Sequence, residues 1–186
     1  MRKVSVILFL VIGMFCFPKN TYDETKFRQD IINWASSKLG AEYSMENRWG
    51  ENTYDCSSFI SRGLRETGMV SISGKKSDYG TTARGLYKSS GNKIEITDYE
   101  SLKPGDIVHF SPLVSTTTGH VGIVVRNLGN GKVEMIDARG TIFGVVRRVK
   151  DLSKSKRYLG ATSATQILKN NGYNPVNQDG VLIIPK

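Results

Sequence analysis

Apolar residues recur at helical spacing over residues 23–39, where Phe27, Ile31, Trp34, Ala35 and Leu39 share one face. That spacing predicts an amphipathic helix. Thr21 or Asp23 can cap its start, and Gly40 can end it. A second helical pattern begins at Cys56 and runs to about Thr67, with Phe59, Ile60, Gly63 and Leu64 on one face and Gly68 as its stop. Between the two lie Ala41-Glu42-Tyr43 and a polar stretch through Trp49-Gly50. Residues 69–91 are rich in Gly, Ser and Lys, and a short helix is predicted over 82–89 with Leu86 and Tyr87 packed.

The period then changes. Residues 94–96 read as a short strand, Leu102-Lys103-Pro104-Gly105-Asp106 as a turn, and 107–110 as the next strand. Residues 120–126 form a near-continuous apolar run, the pattern of a strand covered on both faces. The Asn- and Gly-rich stretch 127–131 predicts a hairpin turn, from which 133–138 returns as an antiparallel strand. A fourth strand is expected over 141–149 and a fifth over 157–160. Helices first and a meandering antiparallel sheet afterwards define an α+β fold. In the tail, 164–169 reads as a short helix and 181–184 as a strand. The expected organisation is a leader over 1–20, a folded domain over 21–162 and an extension of unassigned role over 163–186.

Composition changes the picture mainly at the N-terminus. With 186 residues and 39% hydrophobic content, the chain is long enough to bury its own core. Arg2 and Lys3 precede an uncharged apolar run over residues 4–17, too short to span a bilayer comfortably and fitting a secretory signal. No small-residue pair marks a cleavage site. Met14 and Phe15 are bulky for lipid attachment at Cys16, and an uncleaved membrane anchor stays open. Loss of Arg2 and Lys3 from the formal charge of +9 leaves about +7. A basic exported protein suits an anionic surface such as a cell wall or phospholipid headgroups. Nucleic acid is disfavoured, because the basic residues are scattered and form no nucleic-acid motif.

Candidate chemistry centres on Cys56. It is the only cysteine outside the leader, and a lone thiol in an exported protein needs a reason. At a helix start, unpaired N–H groups and the helix dipole favour thiolate, the nucleophilic form. The alternative is a small buried packing residue. The chain has two histidines, His109 and His120. His120 opens a strand after the small polar residues 115–119 and so can face a cleft, whereas His109, between Val108 and Phe110, reads as structural. The hairpin turn brings Asp137 near the level of His120, where a carboxylate can hold an imidazole in place; otherwise Asp137 caps the turn at Arg139-Gly140. Tyr43 fits a packed aromatic and a substrate contact about equally. Two distant histidines and one thiol make no zinc set, and no phosphate loop or dinucleotide fingerprint is present, so no metal or cofactor is expected.

Taken in order, Tyr43 after Leu39-Gly40-Ala41-Glu42, Asp55-Cys56-Ser57-Ser58-Phe59, Leu102-Lys103-Pro104-Gly105-Asp106-Ile107, Gly119-His120-Val121-Gly122-Ile123 and Met135-Ile136-Asp137-Ala138 closely resemble the NlpC/P60 family of papain-like cysteine peptidases. The resemblance spans about residues 25–160. It implies a nucleophile helix packed on a small antiparallel sheet, and cleavage of the γ-D-glutamyl to diamino-acid bond in peptidoglycan stem peptides. By the same resemblance Cys56 is the nucleophile, His120 the base and Asp137 the third polar residue, while Tyr43, Asp55 and Ser57 contact substrate. Two positions depart from the family pattern. Ser58 replaces the usual Gly, which would narrow the cleft, and Asp137 stands where His, Asn or Gln is usual. No SH3-like or LysM repeat is recognisable, so wall targeting would fall to the domain, its charge or the tail. The expected protein is a monomeric, exported endopeptidase. Competing readings keep the site but change the bond (an N-acetylmuramoyl-L-alanine amidase or a lipid acyltransferase), turn it against rival bacteria as a toxin, or reduce it to an inactive wall-binding module.

Overall fold

The computed structural model describes residues 20–112 and 119–183. The expectations for the leader, for Cys16, for residues 115–118 ahead of His120 and for the strand end at 184 lie outside those residues. Among the described residues no helix is long and apolar enough to cross a membrane.

A three-residue strand β1 (Thr21–Asp23) leads into helix α1 (Glu24–Ser37). Asp23 is the cap: its carboxylate accepts from the backbone N–H of Thr25 at 2.9 Å and of Lys26 at 3.1 Å. Two short strands, β2 (Glu42–Tyr43) and β3 (Thr53–Tyr54), pair in parallel and deliver the chain into α2 (Cys56–Glu66). Gly63 lets α1 and α2 approach closely, since a Cβ there would lie 2.7 Å from the Trp34 ring. Helix α3 (Ala83–Ser89) follows with Thr82 as its cap.

The sheet contains β4 (Ile107–Phe110), β5 (His120–Gly129), β6 (Lys132–Ala138), β7 (Val145–Asp151) and β8 (Tyr158–Thr162). Its order is β7-β6-β5-β4-β8, with every pairing antiparallel. Phe59, Ile60 and Leu64 of α2 join Ile107, Val121, Ile123 and Ile136 of the sheet in one buried cluster. The opposite face carries a smaller cluster around Val108, Val124, Met135 and Tyr158. Apolar residues on both faces of β4 and β5 explain the unbroken hydrophobic run read in the sequence.

Four elements differ from expectation: the first is the strand expected over 181–184, whose described residues form only a bridge from Leu182 to Val176. Residues 94–96 form no strand, only a single bridge from Ile94 to Ala161. The fourth strand starts at Val145 rather than 141, because the preceding residues turn back to dock on the α1–β2 connection: Val145 N–H donates to the Ala41 carbonyl at 2.8 Å and Gly40 N–H to that of Val145 at 2.9 Å. The hairpin turn is tighter than expected, since β5 continues to Gly129 and leaves Asn130-Gly131 as the turn, with Asn130 at φ 52°.

Helix and strand residues between 164 and 176 join the same fold. Helix α4 (Ala164–Asn170) buries Ala164, Ile167 and Leu168 in the main cluster. A short strand β9 (Asn174–Val176) pairs in parallel with β1, tying the two ends of the described chain together. Buried Asp106 joins three segments here: its Oδ1 accepts from Arg28 at 2.8 Å and from the Ala164 N–H at 2.9 Å, and its Oδ2 from the Lys103 N–H at 2.8 Å.

Candidate active site

Helix α2 begins at a doubly satisfied cap. Asp55 is extended, and its Oδ1 accepts from the Ser58 N–H at 2.6 Å and the Ser57 hydroxyl at 2.9 Å. The Ser58 hydroxyl sits 3.0 Å from the Asp55 N–H, completing a capping box. Ser58 is fully buried, so the expected narrowing of the cleft does not occur: its side chain turns back into the helix start. Arg48 adds an ion pair to Asp55 Oδ2 at 2.8 Å, and the same guanidinium reaches the Gly80 carbonyl. Asp55 and Ser57 are both nearly buried, and their polar atoms bond to each other, to Arg48 and to the helix start.

Cys56 follows directly, 7% exposed. The backbone N–H groups of Cys56 and Ser57 point at its sulfur and favour the anion, as a helix start should. Burial outweighs them, and the Asp55 carboxylate adds to it, so the thiol is pushed up to about 12. The thiolate expected from the helix start is therefore not the resting form. The sequence located the favourable dipole but carried no measure of the desolvation opposing it.

His120 opens β5 opposite Phe110 of β4, and the Phe110 ring lies 6.0 Å from the imidazole. Gly119 launches it: its φ is +75°, and a Cβ there would sit 2.7 Å from the Phe110 carbonyl oxygen. On the other side, β5 pairs Ile123 with Ile136 of β6. One step along, Gly122 lies against Asp137, where a Cβ would stand 3.1 Å from the Asp137 Cβ. With no side chain intervening, His120 Nε2 reaches Asp137 Oδ2 at 2.5 Å. Asp137 is fully buried. Burial pushes its carboxyl upward, but hydrogen bonds from His120 and Arg148 outweigh burial and hold it below the ordinary carboxylate range. An ionised Asp137 accepts a hydrogen bond from Nε2–H, which leaves Nδ1 as the ring nitrogen able to take a proton.

The structure thus joins His120 and Asp137 directly. Cys56 comes from α2, packed on the same strands, and lies within electrostatic range of Asp55, Asp137 and Tyr43. Among the described residues no hydrogen bond joins the thiol to the imidazole. Tyr43, half-buried beside Cys56, has its phenol pushed up to about 12, first by burial and then by Cys56 and Asp55. It lines a groove of about 310 Å³ whose other wall is Thr141, Ile142, Phe143 and Gly144. A larger cavity of about 420 Å³, lined by Arg65, Met69, Lys76 and Tyr79, lies at the far end of α2. It is roughly 15 Å along the helix from Cys56.

His109 is on the neighbouring strand, paired with Val121, but it is buried away from this cluster. Its Nε2 meets the Thr162 hydroxyl at 2.8 Å, and among the described residues its Nδ1 has no hydrogen-bond partner. Two residues of the site were not foreseen. Arg48 sits in a loop that carries no periodic signal. Arg148 lies on β7, where Asp137 pairs with Val146; it grips both oxygens of Asp137, with Nε to Oδ1 at 3.0 Å and Nη2 to Oδ2 at 2.6 Å. Alternation along β7 places Arg148 on the same face as Val146, which is the signal that points to it. Among the described residues no group of three His, Cys, Asp or Glu side chains is arranged to hold a metal ion.

A helix that starts on a cysteine and packs on a small antiparallel sheet is the papain-like fold of NlpC/P60 proteins, and solved structures share that fold. NlpC1 from Trichomonas vaginalis is similar with a TM-score of 0.52 and 24% identity, over 73% of this chain and 42% of that one. NlpC2 from the same organism gives 0.54 and 23%, over 74% and 46%. A Staphylococcus aureus protein of the NLP/P60 family, described as similar to lipoprotein, gives 0.50 and 19%, over 79% and 44%. The chain spans less than half the length of these three proteins. Residues 28–133, more than half of the chain, match the family described as bacteriophage peptidoglycan hydrolase, and the chain belongs to that family. Comparison with curated proteins returned no match.

Proposed function

We propose that this protein is an exported cysteine endopeptidase that hydrolyses peptidoglycan stem peptides, at the γ-D-glutamyl to diamino-acid bond. The observation that carries the reading is the His120–Asp137 hydrogen bond at the mouth of β5, beside a helix that starts on a cysteine. Membership of a peptidoglycan hydrolase family supports the substrate class. The apolar run over residues 4–17 behind Arg2 and Lys3 supports export, and the basic balance suits an anionic wall.

In this mechanism the resting thiol is protonated, so attack needs a base at the moment of reaction. Substrate in the Tyr43 groove brings its carbonyl to the sulfur, and His120 Nδ1 takes the thiol proton as Sγ bonds to the carbonyl carbon. Asp137 stabilises the imidazolium that forms. The N–H groups of Cys56 and Ser57 are suited to holding the developing oxyanion. Collapse expels the diamino-acid amine, which leaves with the proton from His120. Water, deprotonated by the same imidazole, then releases the glutamyl acyl group from sulfur.

Digestion of purified muropeptides by wild type and by Cys56→Ala, read by mass spectrometry, tests this. Sugar-linked L-Ala-D-Glu together with a free peptide that begins at the diamino acid, from wild type alone, is the expected result. Release of the whole stem peptide from the sugar identifies an amidase instead. No product from either protein on any muropeptide refutes the hydrolase reading for this substrate.

A further inference from the structure

Asp137 stands where NlpC/P60 proteins usually have an uncharged or weakly basic residue, and the structure gives this carboxylate a partner of its own. Arg148 binds it in a two-pronged grip, and Nη2 shares Oδ2 with the imidazole. We propose that Arg148 is a positioning residue of the catalytic site: it neutralises and fixes Asp137, so that the carboxylate acts on His120 as a neutral dipole would. This rests on the reading of Cys56, His120 and Asp137 as the reacting unit.

The physical reason lies in the sign of the charge. A bare buried carboxylate beside an imidazole holds the cationic ring too firmly, and its charge opposes formation of the Cys56 thiolate. Asp137 does act on Cys56 in that direction. Arg148 supplies the opposite charge on the same oxygens, so the pair presents a net charge near zero. Its position is well determined, because Arg148 is only 21% exposed and Asp137 is fully buried. The charged and titratable groups that face Asp137 are His120 from β5, Arg148 from β7 and Cys56 from α2. Lysine would supply the charge without the planar fork that occupies both oxygens.

The test is a charge-paired set: Arg148→Met, Arg148→Lys, Asp137→Asn and the double variant Asp137→Asn/Arg148→Met. The first readout is the pH dependence of Cys56 alkylation by iodoacetamide, which needs no assumption about the substrate. Arg148→Met leaves the carboxylate bare and moves the profile to higher pH by roughly one unit. Asp137→Asn leaves the guanidinium bare and moves it to lower pH. The double variant returns it near wild type, and Arg148→Lys holds it there too. The second readout is muropeptide turnover. Each single Met or Asn substitution lowers kcat about tenfold or more with little change in KM, and the double variant exceeds both. Arg148→Lys keeps the pH position but loses rate. Thermal melts separate folding losses from these effects, and the neutral double variant avoids an unpaired buried charge. Unshifted alkylation profiles in both Arg148→Met and Asp137→Asn overturn the inference, as does a double variant no better than the worse single. A wild type that alkylates with the expected shifts yet digests no muropeptide upholds the inference and refutes the substrate instead.

Discussion

His109 sets an acid limit on the fold. It is 1% exposed, and burial, aided by the charge of Lys93, lowers it from 6.5 to about 3. The Tyr87 ring meets it edge-on at 5.6 Å, and among the described residues its Nδ1 lacks a partner. The folded protein therefore keeps this ring neutral while the unfolded chain protonates it. The stability from a neutral His109 is present above pH 6.5 and is lost as pH falls from there toward about 3. At pH 5 the unfolded chain binds close to one proton more at this residue, which costs about 2 kcal/mol relative to pH 7. Replacing His109 with Gln removes the titration and keeps a polar atom near Thr162. Urea unfolding of wild type and His109→Gln at pH 7 and pH 5 measures the effect. Other titrating groups, including Asp137, act equally in both proteins and cancel in the difference. The variant should start less stable at pH 7, by about 1–2 kcal/mol for the altered ring contacts. Between pH 7 and pH 5 it should lose about 2 kcal/mol less than wild type. Equal losses in the two proteins would show that His109 does not set the acid limit.

Two further substitutions test the geometry of the site. Gly122→Ala brings a Cβ to 2.1 Å from the mobile end of Met135, which can move, but also to 3.2 Å from the Ile136 carbonyl and 3.1 Å from the Asp137 Cβ, which cannot move freely. It should cost about 1–3 kcal/mol in a thermal or urea melt and lower muropeptide turnover through kcat rather than KM. Ser58→Gly restores the usual family residue but removes half of the capping box and adds backbone freedom, so it should cost about 1 kcal/mol of stability. Because Ser58 is fully buried, KM should not improve; a markedly lower KM would mean the side chain does line the cleft.

Much of the frame was legible because its signals are local. Phe27, Ile31 and Ala35 mark one face of α1 by period alone. The Asn-Gly turn after β5 folds β6 back, and this antiparallel return is what carries Asp137 to His120. Residues 141–143 misled because Ile142 and Phe143 read as strand, yet the chain there turns to bond Ala41, a contact about a hundred positions away in the chain. Tertiary contact overrode local propensity at that point. Residues 94–96 had too few partners to become more than a bridge. Within the site, Cys56, His120 and Asp137 stood out by residue type and order, since cysteine and histidine are scarce in this chain. Arg48 and Arg148 are two of many basic residues; strand alternation could have placed Arg148 on the Asp137 face once the β6–β7 register was known, whereas only three-dimensional placement distinguishes Arg48. The state of the thiol was illegible for a related reason: helix-start stabilisation is visible in sequence, but the burial that outweighs it is not.

The central claim is that Cys56 carries the glutamyl group of a stem peptide during turnover, and intact-protein mass spectrometry after rapid acid quench tests it most directly. Wild type mixed with excess muropeptide should show an adduct of the mass of the N-terminal acyl fragment, located on the peptide containing Cys56 and absent in Cys56→Ala. Products formed at an undiminished rate by Cys56→Ala would contradict the account, because the bond would then be broken without this thiol.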